Sequence, residues 1–112
     1  MLAHVFGKTT RLGLHMDTGW ALDANQDPLR WIERFADRLY AVHVKDFLYD
    51  ERRHWRDVIL GDGMLEVAKL MAALDRASFT GPLIVEYEAD ANAPAAAIRK
   101  CAERLRAAKQ LA

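Results

Sequence analysis

Three apolar stretches of this chain each end in ionisable side chains. Arg11 to Trp20 (RLGLHMDTGW) carries His15 and Asp17 up to a Thr-Gly pair. Leu39 to Asp46 (LYAVHVKD) ends in His43, Lys45 and Asp46, and Pro82 to Glu88 (PLIVEYE) ends in Glu86 and Glu88. An unpaired charge is costly to bury, so three such ends side by side point to a site. One Asp, one His and one Glu offer two hard oxygens and an imidazole, a donor set that suits Mn²⁺, Mg²⁺, Co²⁺ or Zn²⁺. A carboxylate near a metal-bound carbonyl compound also serves as a general base. Each residue has a plainer reading: Asp17 as a carboxylate capping the turn at Thr18-Gly19, His43 as a hydrogen-bonded core histidine, Glu86 as the ion-pair partner of Lys45 or an arginine.

These residues need strands to hold them. Side chains alternate across a strand, so Gly13, His15 and Asp17 share one face, and Leu12, Leu14 and Met16 the other. In the second stretch Ala41, His43 and Lys45 oppose Tyr40, Val42 and Val44; in the third Ile84, Glu86 and Glu88 oppose Leu83, Val85 and Tyr87. Alternation alone therefore does not choose between Glu86 and Glu88. Apolar residues on both faces suit parallel strands covered by helices.

Helical patterns follow each strand. Asp27-Pro28 is a cap and first-turn proline, with Leu29, Ile32, Phe35 and Ala36 on an inner face that ends near Arg38. Val67, Leu70, Met71 and Leu74 form the second face. The last helix starts at Asn92 or Ala93 and turns Ile98, Cys101, Ala102 and Leu105 inward. The segment from Trp20 to Gln26 reads as loop, and so does the longer FLYDERRHWRDVILGDG stretch. Long loops in compact domains are more often functional than filler. Met1 to Phe6 reads as the final turns of a helix ended by a left-handed Gly7, which hints at sequence upstream. The order β-α-β-α-β-α gives an α/β fold with a parallel sheet and right-handed crossovers. In such folds ligands bind beyond the carboxyl ends of the strands, where Asp17, His43 and Glu86 stand.

The 112 residues make one small domain, and 52% hydrophobic with 29% charged residues is ordinary for a soluble protein. Sixteen basic and sixteen acidic residues cancel, so no charge excess argues for nucleic acid. No signal peptide or membrane span is legible, and a cytoplasmic protein is expected. The single cysteine, Cys101, excludes an internal disulfide and reads as a small buried hydrophobe.

HMDTGW, DRLYAVHVKDF, LGDG and GPLIVEYE, in this order and spacing, resemble the sugar phosphate isomerase/epimerase family, the xylose isomerase-like TIM barrels. The resemblance runs from about Leu12 to Leu105 and implies three consecutive βα units equivalent to strands 6–8 of a (β/α)₈ barrel, with residues 1–112 as a partial barrel domain. That family holds a divalent metal with Glu, Asp, His and Glu from the ends of strands five to eight. Asp17 matches the Asp of the D-x-G-H segment, His43 the His of V-H-x-K-D, and Glu86 the Glu of G-x-L-x-x-E, which often acts as catalytic acid/base. The resemblance thus implies Asp17, His43 and Glu86 as metal ligands, Glu86 as catalytic, and Trp20 and Lys45 as substrate-binding. The implied reaction is metal-dependent proton transfer next to the carbonyl of a sugar, sugar phosphate or polyol derivative. Trp20 departs from the pattern, standing where the family has the His of D-x-G-H; it offers an apolar wall and one N–H donor, and no proton at neutral pH. The strand-five Glu has no counterpart, and a full barrel takes about 250 residues.

Other functions compete. The second reading is a catalytically inactive remnant of such an enzyme, or a truncated gene product. The related barrel of apurinic endonucleases, with three zinc ions, needs further histidines: its D-x-x-H histidine is Trp20 here, and His54 follows Asp50 at the wrong spacing. A binding module built on Arg52, Arg53, His54, Trp55 and Arg56 is a fourth possibility, since Arg and Trp are common at interfaces and Arg also holds phosphate. Three parallel strands cannot close and leave unpaired edges, and His15, Lys45 and Glu88 are expected to face water or a partner. The isolated chain should self-associate or recruit a chain that supplies strands. Analytical ultracentrifugation is the check: a well-folded monomer in dilute solution counts against it.

Overall fold

The computed structural model describes residues 1–111. In chain order the elements are α1 (Leu2–Phe6), β1 (Leu14–Asp17), α2 (Thr18–Asp23), α3 (Pro28–Arg34), a 3-10 turn (Ala36–Arg38), β2 (Leu39–Val44), β3 (Phe47–Tyr49), β4 (Trp55–Asp57), α4 (Val67–Arg76), β5 (Leu83–Val85) and α5 (Ala95–Leu111). β1, β2 and β5 form a parallel sheet in the order β1-β2-β5. This is the α/β arrangement the sequence pattern implies.

One sheet face is the core. Met16, Val42 and Val44 pack with Ile32 from α3, Leu70, Met71, Ala73 and Leu74 from α4, and Cys101, Leu105 and Ala108 from α5. The opposite face is open: His15 is exposed and Ile84 is 39% exposed. Alternation therefore sorts the strands as expected, apolar residues inward and site residues outward. On α5, Ile98 is exposed and Ala108 takes its place inside. Arg38 ties down the N-terminal segment, donating to the carbonyls of Phe6 (2.9 Å), Thr9 (2.9 Å) and Leu12 (3.1 Å).

Several boundaries differ from the sequence pattern. Gly7 is right-handed, φ −69° and ψ −16°, so α1 ends without a left-handed cap. β1 starts at Leu14, with an irregularity in register between Leu14 and His15. The Trp20–Gln26 loop contains α2 instead, because Asp17 caps it: its Oδ1 accepts from Trp20 N at 3.0 Å. α2 is also locked to β2 by buried Thr18, whose Oγ1 donates to Lys45 O (2.8 Å) and accepts from Lys45 N (2.9 Å). The long loop after β2 contains the antiparallel hairpin β3–β4, pairing Phe47 with Asp57 and Tyr49 with Trp55. β5 stops at Val85, short of Glu88.

The Leu60–Gly63 loop is shaped around one carboxylate. Asp46 is 1% exposed. Its Oδ1 accepts from Phe47 N (2.9 Å) and Leu65 N (2.9 Å), and its Oδ2 from Gly61 N (2.8 Å) and Gly63 N (3.0 Å). Gly61 has φ +88°, and a Cβ on Gly63 would meet Asp46 Oδ1 at 2.4 Å. Both glycines are required by that approach. Hydrogen bonds to a charged acceptor are worth about 1.5–3 kcal/mol each in net terms, and breaking a buried set is costlier still. Asp46→Asn should lower stability by about 3 kcal/mol, read as a reduced urea midpoint with unchanged slope. A variant with wild-type midpoint would show that the loop holds without the charge.

Candidate metal and substrate site

Strand register builds the site. Asp17 lies beside His43 across the β1–β2 pair, and His43 beside Ile84 across β2–β5. Glu86 extends the ladder, its N–H donating to Val44 O at 3.1 Å, and so returns to the open face two residues after Ile84. Asp17, His43 and Glu86 each offer one ligand atom, all within 4.8 Å of one another. His43 Nδ1 lies 2.7 Å from Glu86 Oε2 and 3.9 Å from Asp17 Oδ2. His15 packs edge-on against the His43 ring at 4.4 Å.

Each carboxylate divides its oxygens between two tasks. Asp17 Oδ1 caps α2 while Oδ2 faces His43; Glu86 Oε1 accepts from Lys45 Nζ at 2.9 Å while Oε2 faces His43. Donors bound to a divalent cation at about 2.1 Å sit roughly 3 Å apart, close to the spacing already present. Two hard oxygens and one imidazole fit such an ion chemically. Part-exposed side chains leave room for further ligands: Asp17 is 16% exposed, Glu86 29% and His43 30%. The plainer readings of Asp17 and Glu86 also hold in part, since one is a cap and the other an ion-pair partner.

Lys45 does not face water as the sequence pattern predicts. Its side chain is 6% exposed, bonded to Glu86 Oε1 and Glu88 Oε2, with Asp57 Oδ2 at 3.6 Å. The hairpin causes this burial, bringing Asp57 over the end of β2. Burial alone would lower the Lys45 pKa, but the hydrogen bonds to Glu88 and Glu86 and the charge of Asp57 outweigh it and hold the ammonium protonated well above its usual range. The Lys45 hydrogen bond holds Glu86 below the usual carboxylate range, against burial and with help from His43. Asp57 runs the other way: burial pushes it up, opposed by the Glu88 N–H and Lys45. Its Oδ2 accepts from Glu88 N at 2.7 Å, while buried Oδ1 has no partner.

Trp20 stands in the first turn of α2, 63% exposed. It borders a narrow cleft with Gly19, Asp23, Lys45, Phe47 and Trp55. Gly19 lets the Lys45 stem approach closely: a Cβ there would sit 3.0 Å from it and push it aside by a few tenths of an ångström. Thr18, Asp57 and Trp55 had no assigned role in the three strand-end motifs. The alternation of Trp55, Arg56 and Asp57 was a faint strand signal within a charged segment. The tip arginines lie elsewhere, with Arg52 and Arg53 exposed and the Arg53 guanidinium over the Tyr49 ring at 4.8 Å.

A parallel α/β sheet with an Asp-His-Glu cluster at its carboxyl ends is the arrangement of a barrel-type α/β protein. The chain belongs to the xylose isomerase-like TIM barrel family, whose pattern it matches over residues 2–108. It is 35% identical to inosose dehydratase of Geobacillus kaustophilus (strain HTA426), covering 66% of this chain and 29% of that protein. It is 31% identical to rhizopine catabolism protein MocC of Rhizobium meliloti, covering 73% of this chain and 30% of that protein. A sugar phosphate isomerase/epimerase structure from Parabacteroides distasonis ATCC 8503 shares the fold, with TM-score 0.58 and 21% identity over 87% of this chain and 30% of that one. The chain thus spans under a third of these relatives. Among the described residues no helix is long and apolar enough to cross a membrane.

The depressed Glu86 pKa sets a pH dependence. A carboxyl held lower in the folded state adds stability above its unfolded value, here the usual 4.5, and loses it as pH falls through the folded value. Wild type should therefore exceed Glu86→Gln in melting temperature at pH 7, with the gap closing below pH 4.5. A gap independent of pH, in melts from pH 3 to 7, would show that the Glu86 charge adds nothing.

Proposed function

We propose that this chain forms the metal-holding part of an enzyme that moves a proton next to the carbonyl of a sugar or cyclic polyol. Its three βα units correspond in this reading to strands 6–8 of the barrel, with residues 1–112 as a partial barrel domain. In this reading further strands complete the barrel. The observation that carries the reading is the convergence of Asp17, His43 and Glu86, one donor atom each, within 4.8 Å. The family and the inosose dehydratase relative support a keto-polyol as the substrate class.

In this proposal Asp17, His43 and Glu86 hold a Mn²⁺, Mg²⁺, Co²⁺ or Zn²⁺ ion. When bound, the ion polarises a substrate carbonyl and offsets negative charge as the neighbouring C–H bond breaks. The protein supplies the rest. Lys45 holds Glu86 Oε1 and favours the ionised carboxylate, the form in which Oε2 serves either the ion or a proton, one role at a time. Asp17 is fixed by its cap bond to Trp20 N, which leaves Oδ2 aimed at His43. The lysine acts through Glu86 rather than by touching substrate, because its side chain is buried among carboxylates.

Calorimetric titration with Mn²⁺ tests the proposal. One saturable site is expected, and Asp17→Asn or His43→Ala should weaken it at least about tenfold, in line with the loss of a metal ligand or its support. Absence of saturable binding would leave an inactive remnant of the family as the better reading.

A further inference from the structure

Lys45 and Asp57 face each other across a short gap, one with a donor to spare and the other with an acceptor. An ammonium carries three donor hydrogens. Two of Lys45's are taken, by Glu86 Oε1 at 2.9 Å and by Glu88 Oε2. Asp57 Oδ2 stands 3.6 Å from Nζ, too far for a good hydrogen bond. That oxygen already accepts from Glu88 N at 2.7 Å, while buried Oδ1 has no partner among the described residues. A buried polar atom without a partner is costly and calls for a physical reason. Water is not a ready substitute, since the Asp57 side chain is 1% exposed and that of Lys45 6%.

The hairpin sets the remaining direction of the ammonium. Trp55 and Asp57 are two residues apart on β4 and so share a face. The Trp55 ring centroid lies 5.0 Å from Lys45 Nζ, so β4 turns both an aromatic face and a carboxylate toward the lysine. The Lys45 backbone is pinned by its two bonds to Thr18, which leaves the stem as the part that moves. A shift of about 0.7 Å closes the 3.6 Å gap to an ordinary hydrogen-bond length.

Glu86 meets two opposed demands. Its Oε1 accepts from Lys45, while it also belongs to the donor cluster with Asp17 and His43. A divalent cation on that cluster and an ammonium on the same carboxylate repel each other. Lys45 has two further carboxylates to receive it, Glu88 and Asp57.

We propose that Asp57 is a positioning residue, the alternative acceptor for Lys45: as Glu86 turns its charge to a divalent cation, the ammonium moves from Glu86 Oε1 to the Asp57 carboxylate. No proton is transferred; one hydrogen bond is exchanged for another. The exchange rests on the metal reading above and adds its regulation, because occupancy of the cluster then draws the hairpin onto the end of β2. Asp57 acts through Lys45 and touches neither cation nor substrate.

Zn²⁺, which is diamagnetic, is the probe. In NMR of the full chain, Overhauser contacts from Lys45 Hε to Asp57 Hβ should strengthen at Zn²⁺ saturation, and those to Glu86 Hγ should weaken. Calorimetry supplies a double-mutant cycle. Asp57→Asn should weaken Zn²⁺ binding about tenfold when Lys45 is present, and by under about twofold in a Lys45→Met chain. Loss of a nearby negative charge acts in both backgrounds, so equal weakening in the two overturns the proposal. If thermal melts show that Lys45→Met does not fold, the Overhauser contacts of the unsubstituted chain decide. Saturable Zn²⁺ binding with unchanged Lys45 contacts overturns this proposal alone; absence of saturable binding overturns the metal reading with it.

Discussion

The Lys45 ammonium holds three separate parts of the chain to one point. Asp57 comes from the hairpin, Glu86 and Glu88 follow β5, and the lysine itself directly follows β2. Burying one cation among three carboxylates is not an efficient way to gain stability. Desolvation of each ion costs several kcal/mol, and such networks are often replaceable by apolar groups at no loss, though removing one partner alone typically costs about 3–5 kcal/mol. What the network supplies is position. It fixes Glu86 Oε1 so that Oε2 points at His43, and it brings the Lys45 stem close to α2, where a Cβ at position 19 would meet it at 3.0 Å.

The same economy recurs at the ends of β1 and β2. Asp17 is at once the last residue of a strand, the cap of a helix and a member of the donor cluster. Thr18 spends both capacities of its hydroxyl on the backbone of Lys45, so the first residue of α2 and the end of β2 move as one body. Asp46, the next residue along, takes four backbone N–H groups and so sets the loop that leads into α4. Consecutive residues of β2's end thus serve the proposed site and the fold, with no shared side chain. Damage to Asp46 would be felt as instability, and damage to Lys45 as a misdirected Glu86.

The strand ends were legible because two signals agree there: apolar alternation and charges that a buried strand would not otherwise carry. Met16, Val42 and Val44 went inside, and Asp17, His43 and Glu86 outside, as period-two alternation requires. The α2 helix was not legible, since Thr18-Gly19 reads locally as a turn and the helix is held by the tertiary Thr18–Lys45 bonds. The hairpin was hidden for a related reason. Its turn places Arg53 at φ +64° without the glycine or asparagine that usually announces such a turn. Missing the hairpin contributed to misplacing Lys45, because Asp57 and Trp55 of the hairpin both stand beside its ammonium. The identity of Glu86 in the cluster could not come from alternation, which puts Glu88 on the same face; it follows from reach, with Glu88 turned back to Lys45 and Asp57.

Where the sheet is open is also physically informative. Core packing uses one face only, and the other exposes His15 and the apolar Ile84 around the donor cluster. A sheet face with apolar residues exposed to water is a liability in a monomer, yet burying it under helices would close the approach to Asp17, His43 and Glu86. In a closed barrel the conflict disappears: the lower layers of the inner face pack against opposing strands while the carboxyl ends remain open. Ile84 precedes Glu86 by two residues on the same face, so an apolar residue falls in the layer that needs covering and a polar one in the layer that must stay accessible. The arrangement of exposed groups on this chain therefore matches a surface to be completed by further strands, with the proposed site left at its rim.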